Sequence, residues 1–346
     1  MIDIDKYFKL FVLIILSYLF LFFLIKNQNK KILNKLLDKE FIKTQSFHKE
    51  ATPRVGGIFI FFFIILSFLF FQDLVILRDI LYISIPVFFF SILEDFKIEF
   101  SPYVRLVTLF IIVFFIVKLL NLKIYSIQFY SIDKFFNDYQ TFSLIFSSLC
   151  IIFIINGSNF IDGFNGLLGI HSSIIILILS IINYVYGSYD LFLLGILLLL
   201  CLFIFLNFNF PNSKIFFGNS GSHLIGLILA TLVILTSQKT QYHKVYPFFF
   251  ACLLNFIFFE VFFSFFRKIV YEKKNPLYPD KKHLHMLVFK KFDTHVKTTL
   301  VINFFYLITI VLAFFFFKNP GFLKVLFFFQ ILLYILFYLL LLKKKN

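Results

Sequence analysis

The chain has no tryptophan, two methionines and three cysteines, and only 15% of its 346 residues are charged. So little charge beside 61% hydrophobic residues leaves more apolar surface than a soluble core could hide, which excludes a water-soluble globular protein. Cys150, Cys201 and Cys252 are odd in number, far apart and each inside an apolar run. They build neither a disulfide framework nor a metal knuckle and read as buried thiols. The missing Trp beside 60 Phe reads as the composition bias of an AT-rich genome and carries no chemistry. No internal repeat is visible, so an inverted-repeat transporter gains no support. No small-residue cleavage site follows the first apolar run, which therefore reads as a retained span.

What is present is a series of apolar runs long enough to cross ~30 Å of hydrocarbon. They lie at 7–25, 55–71, 80–93, 104–120, 143–160, 168–186, 191–207, 222–238, 245–266, 298–317 and 323–342. The expectation is an all-α, polytopic integral membrane protein of about 11 transmembrane helices, one domain over 1–346. The run 80–93 is short, so it is expected to extend into its flanks, with Pro86 as a candidate kink.

If 26–54 faces the cytoplasm, the loops on its side hold 23 of the 33 Lys and Arg residues. The positive-inside rule then puts the N-terminus outside and the C-terminus in the cytoplasm. Every segment unusual enough to suggest chemistry falls on that inner side: "HKEATPRVGG", "EDFKIEFSPYVR", "NGSNFIDGFNG", "NFPNSKIFFGNSGS" and "NPLYPDKKHLHML". They occupy the loops 26–54, 94–105, 156–169, 207–222 and 267–297. On the outer side, 121–142 reads as an interfacial cap.

Glycine weakens a helix and a carboxylate is costly near hydrocarbon, so "NGSNFIDGFNGLLG" is there for something other than stability. Glu94, Asp95, Asp162, Asn159 and Asn219 suit a hard cation with oxygen ligands. Lys49, Arg54, Arg105, Lys214, Lys281, Lys282, His283 and His285 supply cations for anions. Together they are what phosphoryl chemistry needs. Gly56, Gly57, Gly163, Gly166, Gly218 and Gly221 sit at span ends where backbone N–H groups could meet a phosphate. Each motif also has a plain structural reading: Glu94–Asp95 as a solvated helix end, Pro53–Gly57 as a turn, His283 and His285 as surface histidines, His171 and His223 as structural or pore-facing.

In order along the chain, "TPRVGG", "EDFKIEFSPYVRL", "NGSNFIDGFNGL", "KIFFGNSGS" and "PDKKHLHML" resemble the polyprenyl-phosphate N-acetylhexosamine-1-phosphate transferases. These are glycosyltransferase family 4 enzymes, relatives of the phospho-MurNAc-pentapeptide translocase. The form of the motifs is most similar to the branch that starts O-antigen and capsule-type glycans. The resemblance implies transfer of a sugar-1-phosphate from a UDP-amino sugar to undecaprenyl phosphate at the bacterial cytoplasmic membrane, with release of UMP. It implies Mg²⁺, or Mn²⁺, as cofactor, a homodimer and no nucleic-acid partner.

Roles carry over by position. Asp95 and Glu94 match the catalytic acid pair, with Asp162 as a further acid. Asn159, Asn219 and Asp162 match the metal ligands. Phe216 matches the ring that stacks on uracil, and Asn165, Asn209, His283 and His285 match the nucleotide-sugar contacts. Lys49, Arg54 and Arg105 are the phosphate-binding cations. The chain departs from the family at Asn219, where the family has an aspartate, and at Asn165, which replaces the second acid of the D-G-x-D form, a change the branch tolerates. An amide oxygen can ligate Mg²⁺ without the charge, so a weakened metal site is expected. A catalytically impaired relative serving as a scaffold stays open beside the enzyme. A transporter would want ionisable groups near the bilayer midplane, whereas here they cluster at the inner ends.

Overall fold

In the computed structural model, which describes residues 4–30, 33–38, 51–240, 245–278 and 280–343, the chain is a helical, multi-pass membrane protein. The helices are α1 (Ile4–Lys26), α2 (Gly56–Phe70), α3 (Val75–Asp95), α4 (Pro102–Leu119), α5 (Tyr130–Asp138), α6 (Gln140–Ile161) and α7 (Leu167–Val185). Then follow α8 (Tyr189–Asn209), α9 (Gly218–Thr240), α10 (Pro247–Phe266), α11 (Leu284–Phe292), α12 (His295–Phe315) and α13 (Pro320–Lys343). Among the described residues, ten of these are long and apolar enough to cross a membrane. The shorter apolar α2 coincides with the remaining expected span. The short run at 80–93 does extend into its flanks, giving a 21-residue helix that continues through Pro86.

Local chemistry sets several boundaries. Ser101 caps α4 by accepting from the Val104 N–H, with Pro102 at the first helical position. Thr294 caps α12 in the same way through Lys297. The short amphipathic α5 fills the 121–142 segment, where Asp133 accepts from Ser126 and the Ile127 N–H.

α9 is the axis of the bundle. It packs against α2, α3 and α6, and most of its residues are buried, whereas α1 and α13 expose apolar side chains such as Phe22, Phe23, Phe328 and Leu340. Without a hydrophobic force between helices in lipid, close approach needs small residues. The opening of α9, "GNSGSHLIG", supplies them. A Cβ at Gly57 would lie 2.1 Å from Ser220 Oγ and 2.5 Å from the Gly221 nitrogen. Gly57→Ala is therefore expected to cost roughly 1–3 kcal/mol or more, read as a lower melting temperature in detergent. Gly321→Ala, where the nearest contact is 3.6 Å, is the control that leaves melting unchanged.

The Gly56 and Gly57 N–H groups donate to the Phe216 and Phe217 carbonyls at 2.9 Å each, and the Phe216 N–H donates to the Pro53 carbonyl. "TPRVGG" is thus fastened to "KIFFG". This corrects the expectation that these two glycines offer N–H groups to a phosphate: they serve backbone packing. A two-residue antiparallel pairing of β1 (Leu37–Asp38) with β2 (Thr52–Pro53) completes this corner.

Candidate active site

The end of α3, the start of α9 and the end of α6 meet at one end of the bundle. Asp95, 1% exposed, lies across the N-terminus of α9. Its Oδ1 accepts from the Asn219 N–H at 2.7 Å. Its Oδ2 accepts from the Ser220 N–H at 2.9 Å and from Ser220 Oγ at 2.5 Å. A helix N-terminus has unpaired N–H groups and positive potential, so a carboxylate from another helix caps it well. Gly218 makes the geometry possible: its φ is +71°, and a Cβ there would sit 2.8 Å from Asp95 Oδ1. Asp95 is a brace between α3 and α9, with little left to offer a substrate.

Glu94 points elsewhere. Its Oε2 accepts from Asn219 Nδ2 at 3.2 Å, and its Oε1 lies 3.8 Å from an Arg105 guanidinium nitrogen. The acid pair is therefore no solvated helix end. Asn159 donates to Asn219 Oδ1 and to Ser222 Oγ, both at 2.9 Å. Glu94, Asn219, Asn159 and Ser222 form one polar chain.

Asp162 ends α6. Among the described residues none donates a hydrogen bond to its carboxylate. Burial pushes this carboxyl well above the usual range, the Asp95 charge adds to that, and Arg54 opposes it. An unpaired, desolvated carboxylate beside a second one, with amide oxygens at hand, fits a hard divalent cation. No three Asp, Glu, His or Cys side chains converge into a complete cage among the described residues.

Arg54 pairs with Asp38 at 2.6 Å. Asp38 comes from the lysine-rich segment and had no motif to reveal it. Lys49 lies outside the described residues. Phe216 is half-buried at the rim, its backbone pinned between Pro53 and Gly56.

Asn209 and Asn165 were both expected to contact the nucleotide sugar. Asn209 is buried; its Oδ1 accepts from the Gly166 N–H at 2.7 Å and its Nδ2 donates to the Ile215 carbonyl at 2.8 Å. Both ends of the amide are used within the protein, so Asn209 braces the loop between α6 and α7 against the segment before α9. Asn165 donates to the Pro211 carbonyl and accepts at its own carbonyl from Thr299 of α12.

His283 and His285 are buried rather than surface histidines. Burial lowers the pKa of His285, with the Glu260 charge opposing. His171 and His223 are structural, bonded to Asn303 at 3.2 Å and to Ser91 at 2.7 Å.

Comparison with known proteins points the same way. Residues 77–237 match the model of "Glycosyl transferase family 4". The chain is 28% identical over 263 residues to an undecaprenyl-phosphate alpha-N-acetylglucosaminyl 1-phosphate transferase of Thermotoga maritima, covering 74% of this chain and 75% of that one. It is 28% identical over 242 residues to a phospho-N-acetylmuramoyl-pentapeptide-transferase of Dictyoglomus turgidum, covering 66% and 75%. A probable undecaprenyl-phosphate N-acetylglucosaminyl 1-phosphate transferase of Bacillus subtilis is 30% identical over 157 residues, 44% of this chain and 42% of that protein.

Proposed function

We propose that this chain, which belongs to glycosyl transferase family 4, moves an N-acetylhexosamine-1-phosphate from a UDP-sugar to undecaprenyl phosphate at the cytoplasmic membrane face. UMP leaves, and the product starts a lipid-linked envelope glycan. The observation that carries this reading is the meeting of Glu94, Asn159 and Asn219 with Arg105 at one end of a membrane bundle, with Asp162 capping the helix that carries Asn159. A lipid held in the bilayer and a soluble sugar nucleotide can both reach such an end.

An oxygen of the lipid phosphate attacks the sugar-bearing phosphorus, and the bond to the uridine-bearing phosphate breaks, its electrons leaving with UMP. Both reactants are anions, and each unit pair at ~4 Å repels by roughly 4 kcal/mol at an effective dielectric near 20. Multiply charged phosphates therefore face a barrier on the order of ten kcal/mol. Arg54 and Arg105 offset part of it by exchanging their carboxylate partners for phosphate oxygens. Mg²⁺ or Mn²⁺, held by Asp162, Glu94 and the amide oxygens of Asn159 and Asn219, would supply the remaining charge neutralisation. General-base help is minor, because a phosphate monoester with a second pKa of about 6 is already ionised at neutral pH.

The test is release of UMP from a panel of UDP-amino sugars by purified protein with undecaprenyl phosphate, with and without Mg²⁺. Silence with every sugar from a folded protein would favour the scaffold reading. The same assay tests Asn219. Asn219→Asp would set a second carboxylate against Glu94 Oε2, where the amide now donates, and a divalent cation would relieve that pair. The half-saturating Mg²⁺ concentration is expected to fall about tenfold. An unchanged Mg²⁺ dependence would remove Asn219 from the ion-binding set.

A further inference from the structure

The histidine loop is anchored from inside the bundle. Glu260, on α10 and 0% exposed, faces both imidazoles: His283 Nδ1 is 3.1 Å from its Oε2 and His285 Nδ1 is 3.2 Å from its Oε1. The two rings stack at 5.4 Å between centroids and 13° between planes. Their outer faces meet the segment carrying Asp162: His283 packs on Phe160 and His285 on Phe164, at 5.0 Å and 5.6 Å. His283 Nε2 lies 3.7 Å from Asp280, itself bonded to Arg267 at the end of α10. His285 Nε2 is buried and has no hydrogen-bond partner among the described residues. It faces the open side of Gly163, where a Cβ would lie 3.9 Å away.

We infer that Glu260 is a positioning residue: its carboxylate accepts Nδ1–H from both histidines and thereby turns the unpartnered Nε2 of His285 toward a nucleotide sugar lying over Gly163. A carboxylate only accepts, so each ring facing it must carry its proton on Nδ1. A buried ring nitrogen without a partner is costly and is satisfied when a ligand arrives. The identity of that ligand rests on the transferase reading, whereas the proton positions do not.

The experiment follows the ¹⁵N signals of the ring nitrogens in histidine-labelled protein, assigned by single-site replacement, together with KM and kcat for the UDP-sugar. In the unaltered protein both rings are expected to carry Nδ1–H. Glu260→Gln offers one acceptor and one donor, so one ring must move its proton to Nε2. KM should then rise about tenfold, with kcat changing far less. Glu260→Asp keeps two acceptor oxygens and is expected to restore the Nδ1–H signature and part of the KM.

A bare Nδ1 on either ring of the unaltered protein overturns the inference, and so do unchanged signals and KM in Glu260→Gln. Should Glu260→Gln fail to fold, the unaltered spectrum and Glu260→Asp decide. If no UDP-sugar turns over, the transferase reading fails while the ring signals still support or overturn the role of Glu260.

Discussion

Asp95→Ala is expected to abolish transfer, by about 10³-fold or more, and to destabilise the protein by roughly 3–5 kcal/mol. Both losses have one cause. Asp95 takes three hydrogen bonds at the start of α9, and its removal leaves the Asn219 and Ser220 N–H groups buried without an acceptor. The first turn of α9 then loosens, and with it Asn219, which sits between Glu94 and Asn159. Asp95→Asn should fail almost as badly, because one end of its amide would point a donor at groups that themselves donate. The measurement is UMP release from neutral to alkaline pH beside a thermal melt. If Asp95 worked chiefly as a base, Asp95→Asn would keep its melting temperature and recover activity at high pH. The bracing role requires the opposite on both counts.

The spans were legible because hydrocarbon makes a simple demand: a helix satisfies its own backbone, and its side chains must be apolar over ~30 Å. Each of the eleven apolar runs coincides with a helix, and the one at 80–93 extends to Val75–Asp95, its end including Glu94 and Asp95, which find partners across the bundle rather than water. The site was legible as a set of residue types. Its division of labour was not. Asp95 and Asn209 read as chemistry, since a carboxylate or amide looks the same in sequence whether it faces a ligand or a helix end, and the structure ties both into the fold through hydrogen bonds. Arg54 needed Asp38, separated from it by 16 positions. Glu260 lies in an apolar run, and only the fold sets it beneath the histidine loop. The glycines were the hardest to read, because close packing and phosphate binding call for the same residue. The Cβ clash at Gly57 decides for packing, and the open side of Gly163 leaves it as the glycine that faces the site.

Asp162→Asn is expected to separate stability from activity. Without divalent ions, burial and the nearby Asp95 raise the Asp162 carboxyl well above its ordinary value of 3.8. Between that value and the raised one, the folded protein keeps a proton that the unfolded chain has released, so its stability falls as pH rises through that window. Asparagine carries no such charge. With a chelator at neutral pH, Asp162→Asn should melt higher than the unaltered protein, and the difference should shrink as the pH is lowered toward 3.8. Added Mg²⁺ should reverse the order, because an ion that binds only the folded state raises its melting temperature, and the variant has lost the carboxylate to which none of the described residues donates a hydrogen bond. Transfer should drop by about 10³-fold even though the variant is the sturdier protein, the trade expected where a site holds charge that the fold alone would neutralise. A variant that melts lower than the unaltered protein in chelator, or gains as much from Mg²⁺, would show that Asp162 supports the fold and does not hold the ion.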